Sequence, residues 1–351
     1  MSLFDNMLKD DESLFLNPEH LDFDYQPKLV PHRESHQNII AESIRPLLQK
    51  RNGKNLLIFG NPGVGKTVSI KHVLQELEET TDEIFLIYLN CWKKETSYKA
   101  CIGIAEQLHY PWIQNKNTEE LFQKLADIIN KKSVVIILDE FDKLEDHKIL
   151  YHLLEDIYKK TVILITNSKD ITDDIDQRVL SRLSLTNLEF QPYTQAQTKD
   201  ILATRKQYAF VPGVFQQDAF EKIIASTTGD IRAGLHAMKE AGNIAETRAS
   251  RTIDLRDTEE ALAKLQLLPK TSSLNEGEQF VLELIQKHPN KSSKELYDLS
   301  QTDKSFRTFQ RILNALVEAK NIHTEEQTRI SGGTTRTFVA GMKTLHEFEF
   351  K

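Results

Sequence analysis

A glycine-rich segment that ends in a lysine and a threonine carries the clearest chemistry in the sequence. The eight residues from Gly60 to Thr67 read Gly-Asn-Pro-Gly-Val-Gly-Lys-Thr. They follow a short apolar run and precede an amphipathic segment, so the motif lies between a predicted strand and a predicted helix. The glycines let backbone N–H groups turn inward around a phosphate, and the helix N-terminus adds partial positive charge. The sequence therefore predicts a site for a nucleoside triphosphate.

The residues of this loop have distinct predicted tasks. Lys66 supplies a mobile positive charge for the β- and γ-phosphates, and the Thr67 hydroxyl suits Mg²⁺. The backbone of four further positions is predicted to hold ATP or ADP: Gly60, Gly63, Val64 and Gly65. A chance glycine-rich turn is the alternative, and the match over eight positions between a strand and a helix argues against it.

Polar residues also follow two later apolar runs. Asp139 and Glu140 come after residues 134–138, and Asn167 comes after residues 162–166. The carboxyl ends of parallel strands share one edge of a sheet, where ligands bind. We expect Asp139 to hold Mg²⁺ directly or through water, Glu140 to act as general base, and Asn167 to orient the attacking water. An acidic turn is the alternative for the two acids, and Asn is common at strand ends.

An alternation of strands and helices positions these groups. Strands are predicted over residues 56–59, 84–89, 134–138, 162–166 and 185–190. Helices are predicted over residues 32–51, 68–79, 98–108, 118–130 and 149–158. This order predicts an α/β fold in which a parallel sheet is flanked by helices on both faces.

The composition changes along the chain and predicts four regions. Residues 1–30 are polar, are broken by prolines and form an arm with little regular structure, and residues 31–193 form the nucleotide-binding core. The pattern of residues 194–268 is helical and predicts a small separate bundle. The Pro- and Ser-containing stretch 268–274 is the best linker, and it is followed by a last domain over residues 269–351.

The last domain reads as three helices and a glycine-tipped hairpin, which is the pattern of a winged helix. The residues placed to meet DNA are Arg307, Thr308, Arg311 and Asn314 on the third helix, and Arg329 and Arg336 beside the hairpin tip. Acidic residues nearly balance basic ones here. Binding of another protein through this domain is therefore a comparable alternative.

Bulk properties set further limits. The formal net charge of the 351 residues is −7, so contact with nucleic acid would need a local basic patch. Cys91 and Cys101 have neither zinc-ligand nor disulfide-framework spacing, which fits a reducing cytoplasm. The sequence has no signal-peptide pattern and no apolar run of membrane-spanning length, so we expect a cytoplasmic protein without a membrane partner.

Several segments outside the phosphate loop resemble one known family. They are Pro31-His32-Arg33-Glu34, the stretch 90–108, Arg178-Val179-Leu180-Ser181-Arg182-Leu183, Phe190-Gln191-Pro192-Tyr193-Thr194 and Gly229-Asp230-Ile231-Arg232. In this order and spacing the chain resembles the archaeal replication initiators related to the large subunit of the origin recognition complex and to cell division control protein six. These are AAA+ ATPases, so the resemblance implies an AAA+ core, a helical lid and a C-terminal winged-helix domain.

The resemblance also implies roles for single residues. Arg182 would be the arginine finger that acts on nucleotide held by a neighbouring subunit, with Arg178 the lesser candidate. Arg232, which composition alone places on the surface, would reach the γ-phosphate from the lid of the same chain. Tyr193 and Arg205 would contact the nucleotide where core and lid meet.

The implied function is that of an ATP-controlled initiator. It would bind double-stranded origin DNA through the winged helix and the 90–108 insertion, act with other initiator copies, help load the replicative helicase and associate with the nucleoid. Slow hydrolysis of ATP would reset it. The main alternative is a clamp-loader-like, transposition-regulating or signalling AAA+ ATPase whose last domain binds protein. A DNA-binding protein that holds ATP only structurally is another.

Overall fold

The computed structural model describes residues 13–113, 116–227, 229–267, 276–289, 291–300, 302, 306–318, 322–328 and 334–340. The chain forms two compact units, Met1–Leu262 and Ala263–Lys351. No helix within these described ranges is long and apolar enough to cross a membrane.

The first unit is built on a sheet of five parallel strands in the order β2-β3-β4-β1-β5. The strands are β1 Leu56–Phe59, β2 Ile84–Asn90, β3 Ser133–Asp139, β4 Lys160–Thr166 and β5 Thr186–Glu189. All seven residues of β3 are buried. A strand that is covered on both faces needs such a continuous apolar run, so the predicted parallel sheet is confirmed.

Helices cover both faces of the sheet. They are α1 Glu34–Leu48, α2 Lys66–Thr80, α3 Ser97–Gln107, α4 Thr118–Ile129, α5 Lys148–Asp156 and α6 Gln177–Leu183. Alternate strand residues face two separate apolar cores, so that Leu57 packs with α3 to α6 while Leu56 and Ile58 pack with α1 and α2. This alternation follows from the two-residue repeat of a strand.

Four further helices of the chain form the lid: α7 Gln195–Ala209, α8 Gln217–Ser226, α9 Ile231–Thr247 and α10 Leu255–Leu267. Gly229 has a φ of +80°, and the Asp230 side chain accepts from Arg232 N at 3.0 Å, so Asp230 caps α9. The cap fixes Arg232 in the first turn. The predicted apolar face of α9, including Met238 and Ala241, is buried.

Residues 13–30, the part of the arm that the structure describes, pack on the rest of the unit. Among them, Pro18–Leu21 forms a short 3₁₀ helix. Leu14 N donates to Glu246 Oε1 at 2.7 Å, and Leu16 N donates to Ala209 O at 2.8 Å. The Phe15 ring also packs on the lid, with its centroid 4.9 Å from that of Phe210. Residues 13–17 are therefore packed on the lid, which the sequence reading did not predict.

The second unit has the elements of a winged helix. They are α11 Glu276–Lys287, β6 Lys291–Ser292, α12 Ser293–Ser300, α13 Phe306–Glu318, β7 Ile322–Thr328 and β8 Thr334–Ala340. The strands pair antiparallel in the order β6-β8-β7, and the two-residue β6 was not predicted. The predicted linker, 268–274, lies outside the described residues.

Candidate nucleotide-binding site

The phosphate loop joins β1 to α2 and leaves no space for side chains at two of its glycines. Gly63 and Gly65 have φ values of +78° and +91°, which L side chains rarely adopt. A Cβ on Gly63 would lie 1.8 Å from Asp230 Oδ1, and a Cβ on Gly65 would lie 2.7 Å from Tyr193 Oη. The loop therefore needs glycine at both positions for its backbone shape and for close contact with the lid side.

Lys66 lies at the centre of a buried chain of hydrogen bonds. Its Nζ donates to Gly60 O at 2.6 Å, to Asn61 O at 3.0 Å and to Asn167 Oδ1 at 3.1 Å. Asn167 Nδ2 in turn donates to Glu140 Oε2 at 3.2 Å. Burial lowers the pKa of Lys66, so its ammonium lacks solvation that an anion could supply. The ends of the strands thus bring Lys66, Asn167 and Glu140 together in one series of hydrogen bonds, in which they are the predicted cation, water-orienting amide and general base.

Glu140 has an unusual backbone and an unusual carboxyl group. Its φ is +53°, which is uncommon for a residue other than glycine and is seen more often at functional sites. Burial raises the pKa of Glu140, and the nearby carboxylates of Asp139 and Asp142 raise it further. Lys66 and Arg232 act in the opposite direction. A carboxylate that is half-buried and more basic than usual is suited to accept a proton from water.

The carboxylate of Asp139 is buried and held on both oxygens. Thr67 Oγ1 donates to Asp139 Oδ2 at 2.9 Å, the Tyr88 hydroxyl donates to the same oxygen, and Glu140 N donates to Oδ1 at 2.9 Å. Burial, followed by the negative charge of Asp139, raises the pKa of Tyr88 far above its usual range, so its hydroxyl remains a donor.

This pair of oxygen donors fits Mg²⁺. Thr67 and Asp139 offer a hydroxyl and a carboxylate beside the phosphate loop, and Mg²⁺ in phosphate-transfer sites keeps several waters and takes few protein ligands. Within the described ranges, no group of three or more His, Cys, Asp or Glu side chains is arranged to hold a metal. The remaining ligands of such an ion would therefore be phosphate oxygens and water.

A cavity of about 490 Å³ lies between the phosphate loop, the lid and the arm. Small-molecule sites typically range from about 300 to 1,000 Å³. The predicted site residues in its wall are Gly63, Val64, Gly65, Lys66, Thr67, Glu140, Tyr193, Arg205 and Arg232. Tyr193, Arg205 and Arg232 come from the lid side of the unit, and residues of the arm also line the cavity. Arg205 lies over the Tyr25 ring, with Cζ 4.8 Å from the centroid, and its Nη1 donates to His20 O at 3.4 Å.

Arg33 is a site residue whose task the sequence reading did not identify. It immediately precedes α1 and is 4 % exposed. Its Nε donates to Val64 O at 3.0 Å, and its Nη2 donates to Gln191 O at 2.5 Å. The guanidinium also lies over the Tyr193 ring, with Cζ 4.0 Å from the centroid. One buried cation therefore joins the phosphate loop to the segment that leads into the lid. The only feature of the sequence that could have indicated this task is the position of Arg33 in the segment Pro31-His32-Arg33-Glu34, which resembles the family.

Arg182 lies apart from this cavity. It is on α6, its side chain is half exposed, and it forms an ion pair with Glu155 of α5. Arg178, on the same helix, is also exposed. Action of Arg182 on a neighbouring subunit stays a prediction.

The predicted DNA-contacting residues are only partly described. Arg311 and Asn314 are exposed on α13 and Thr308 is half-buried there, while Phe309, Ile312, Leu313 and Leu316 form the buried stripe as predicted. Arg307 lies on α13 and Arg336 lies on β8 opposite Glu326. Arg329 lies outside the described residues.

Comparison with known proteins agrees with this architecture. The chain matches the AAA domain family over residues 49–172 and the Cdc6 AAA+ ATPase-type lid domain over residues 199–263. It is 32% identical over 287 residues to an ORC1-type DNA replication protein of Pyrococcus abyssi, covering 75% of this chain and 68% of the relative. It is 33% identical to ORC1-type DNA replication protein 2 of Methanosarcina acetivorans, covering 82% of each. The chain belongs to the family of ORC1-type DNA replication proteins.

Solved structures give the same result. The Aeropyrum pernix Orc1 protein in complex with DNA is 26% identical, with a TM-score of 0.77, and the match covers 95% of this chain and 94% of that one. Cdc6p of Pyrobaculum aerophilum, at 17% identity and a TM-score of 0.67 over 93% of this chain and 94% of that one, shares the fold. The chain is therefore an AAA+ replication initiator of the ORC1/Cdc6 type with an ATP-binding phosphate loop. The predicted family and fold class are confirmed.

Replacing Arg33 with Met should weaken ATP binding, because Met keeps the bulk of the side chain and loses both donors to the loop and the lid segment. Hydrogen bonds from a charged group are worth about 1.5–3 kcal/mol each. We expect the dissociation constant for ATP, measured by isothermal titration calorimetry, to rise about tenfold or more. Arg33→Lys should not restore binding, because an ammonium cannot reproduce the planar fork of donors.

Arg45→Met, at an exposed position in the last turn of α1, is the matched control and should bind ATP normally. Normal ATP affinity in Arg33→Met would show that this arginine does not organise the loop.

Glu140→Gln should keep ATP affinity and lose turnover. Gln can still accept from Asn167 Nδ2 but cannot take a proton from water, and a general base contributes about 10²–10⁴-fold. Phosphate release at pH 7 should fall by that factor, while Glu145→Gln, an exposed control, should be unaffected.

In the unmodified protein, turnover should already fall with acidification at a pH above 4.5, the usual pKa of Glu, because a protonated Glu140 is not a base.

Glu140→Gln should also raise the midpoint temperature of thermal unfolding at neutral pH. A carboxyl with a raised pKa in the folded state contributes most to stability below its usual value of 4.5, and this contribution is lost as the pH rises through the raised value. Differential scanning calorimetry should therefore show Glu140→Gln melting above the unmodified protein at pH 7, with the difference disappearing at about pH 4. An equal or lower midpoint at pH 7 would contradict the burial argument.

Proposed function

We propose that the protein is an ATP-controlled initiator that binds double-stranded origin DNA and helps load the replicative helicase, with slow ATP hydrolysis as the switch. The observation that carries the proposal is the cavity between phosphate loop and lid, with Lys66, Glu140 and Arg232 all in its wall. Membership of the ORC1-type family supplies the biological setting. The protein would act in the cytoplasm, at the nucleoid.

The residues of the cavity suit in-line attack of water on a γ-phosphate. Lys66 would give up its carbonyl and amide partners for phosphate oxygens, which offer a buried ammonium a far better match. Asn167, released from Lys66, could then orient the water that Glu140 deprotonates. When bound, Mg²⁺ supplies positive charge to the β- and γ-phosphates, and Thr67 and Asp139 would hold it.

Turnover would also need a second copy of the chain. Arg182 stands on the surface of α6, outside the cavity of its own subunit, where it could enter the site of a neighbour. An arginine finger of this kind typically adds about 10³–10⁵-fold to the rate. An isolated subunit would therefore hold ATP with little hydrolysis, which is the behaviour of a slow switch.

Lid and loop are in direct contact, and this gives the nucleotide control over the lid. Asp230 lies against Gly63, and Tyr193 lies against Gly65. A γ-phosphate that engages both Lys66 and Arg232 would favour one orientation of the lid, and loss of that phosphate would remove the preference. The lid precedes the winged helix in the chain, so we propose that ATP and ADP set different affinities for DNA.

DNA contact would come from two places. On the winged helix, Arg311 is exposed on α13, the helix that reads the major groove in this motif. In the core, the segment 90–108 carries Lys93 and the exposed aromatic side chains Trp92 and Tyr98. Basic and aromatic side chains together suit a nucleic-acid surface.

A protein-binding role of the last domain is the second candidate. It is favoured by the acidic residues Glu325 and Glu326 on β7, which oppose binding to phosphates. Family membership favours DNA.

The experiment is DNA footprinting on the genome of the source organism, followed by fluorescence anisotropy on a recovered duplex with ATPγS and with ADP over a range of salt. We expect tighter binding with one nucleotide than with the other. Arg311→Ala should weaken binding by about 1–3 kcal/mol if it reads a base, or lower the salt slope by about 1 if it meets a phosphate.

Lys287→Ala, an exposed basic position on α11, is the matched control. Equal DNA binding with either nucleotide would overturn the switch, and full affinity in Arg311→Ala would remove α13 as the reading helix.

A further inference from the structure

The ring of Tyr88 lies between α2 and the acidic end of β3, where no part of the phosphate-loop motif predicts a role for it. β2 and β3 pair in parallel, with Tyr88 opposite Ile137 and Asn90 opposite Asp139. The Tyr88 hydroxyl donates to Asp139 Oδ2. On the other side, Lys71 of α2 places its Nζ 5.4 Å from the ring centroid.

Asp139 Oδ2 accepts from two hydroxyl groups, and these differ in what they are free to do. Thr67 Oγ1 donates to it at 2.9 Å, but Thr67 is also the loop hydroxyl that suits Mg²⁺. In the nucleotide-bound site Thr67 would turn its oxygen toward the ion. Tyr88 lies on β2, outside the phosphate loop, and has no such second task, so it can stay on Asp139 Oδ2 throughout.

We propose that Tyr88 is a positioning residue that fixes the Asp139 carboxylate for Mg²⁺, an inference that rests on the proposed ATPase function. The Glu140 N–H holds Oδ1 at 2.9 Å, and the Tyr88 hydroxyl holds Oδ2. Together these donors set both the position and the rotation of a carboxylate that is 3% exposed. Partners that orient a metal ligand in this way typically contribute about 10–100-fold to metal affinity or activity.

The proposal differs from a simple packing role in a measurable way. If Tyr88 only fills space beside α2, Tyr88→Phe retains the ring and should change nothing. If Tyr88 acts through Asp139, the loss of its hydroxyl should affect the step that needs Mg²⁺ and leave metal-free nucleotide binding unchanged.

The test is the binding of a fluorescent ATP analogue to the full chain, first in EDTA and then as Mg²⁺ is added. We expect Tyr88→Phe to bind the analogue normally in EDTA and to need about tenfold more Mg²⁺ for half-maximal effect. Binding of Mn²⁺ in place of Mg²⁺, measured by electron paramagnetic resonance, compares the metal affinity of Tyr88→Phe with that of the unmodified protein and does not depend on turnover. Tyr158→Phe, whose side chain is 70% exposed, is the matched control.

A double-mutant cycle assigns the effect to Asp139. In an Asp139→Asn background, the further change Tyr88→Phe should add little, because the carboxylate that it positions is already absent. A normal Mg²⁺ requirement in Tyr88→Phe, an equal loss of affinity in EDTA, or full additivity with Asp139→Asn would each overturn the inference. Failure of the unmodified protein to bind the analogue with Mg²⁺ would instead overturn the proposed function on which the inference rests.

Discussion

The buried ammonium group of Lys66 is the interaction on which the rest of the site depends. It bonds to two loop carbonyls and to Asn167, and burial lowers its pKa. Phosphate oxygens would satisfy it better, since charge-assisted hydrogen bonds are about twice as strong as neutral ones. Because Asn167 also holds Glu140, a ligand that takes Lys66 also releases the groups that would act on water.

Several local features of the site disfavour the folded chain or restrict its sequence, and a bound ligand would compensate for them. Glu140 has a left-handed backbone and a half-buried carboxyl of raised pKa, which both disfavour the folded chain at neutral pH. Gly63 and Gly65 have conformations that the loop needs and that other residues would strain. Arg33 is a buried cation that binds two carbonyl oxygens. The surrounding sheet, in which every residue of β3 is buried, is what can hold such groups in place.

The features of the fold and the site that could be predicted are those that depend on short stretches of sequence. The phosphate loop, the parallel strands and the acids at the end of β3 follow from short runs of sequence, because strand ends in a parallel sheet meet at one edge. The packing of the arm on the lid was not predictable, since it depends on pairings such as Leu14 with Glu246 across the whole unit. The same reason applies to Arg33, Tyr88 and the pairing of Arg182 with Glu155. Each is an ordinary polar residue in the sequence and acquires its place only through distant partners.

Arg232 is the residue through which the lid would sense the γ-phosphate within one chain. Arg232 lines the cavity, and its charge acts on both Lys66 and Glu140. The measurement is calorimetric titration of ATPγS and of ADP into the unmodified protein, Arg232→Ala, and Arg256→Ala as an exposed control on α10. Arg232→Ala should bind ADP normally and ATPγS about 10- to 100-fold more weakly, as expected for the loss of a charge-assisted bond. An unchanged ratio of the two dissociation constants would show that Arg232 does not sense the γ-phosphate.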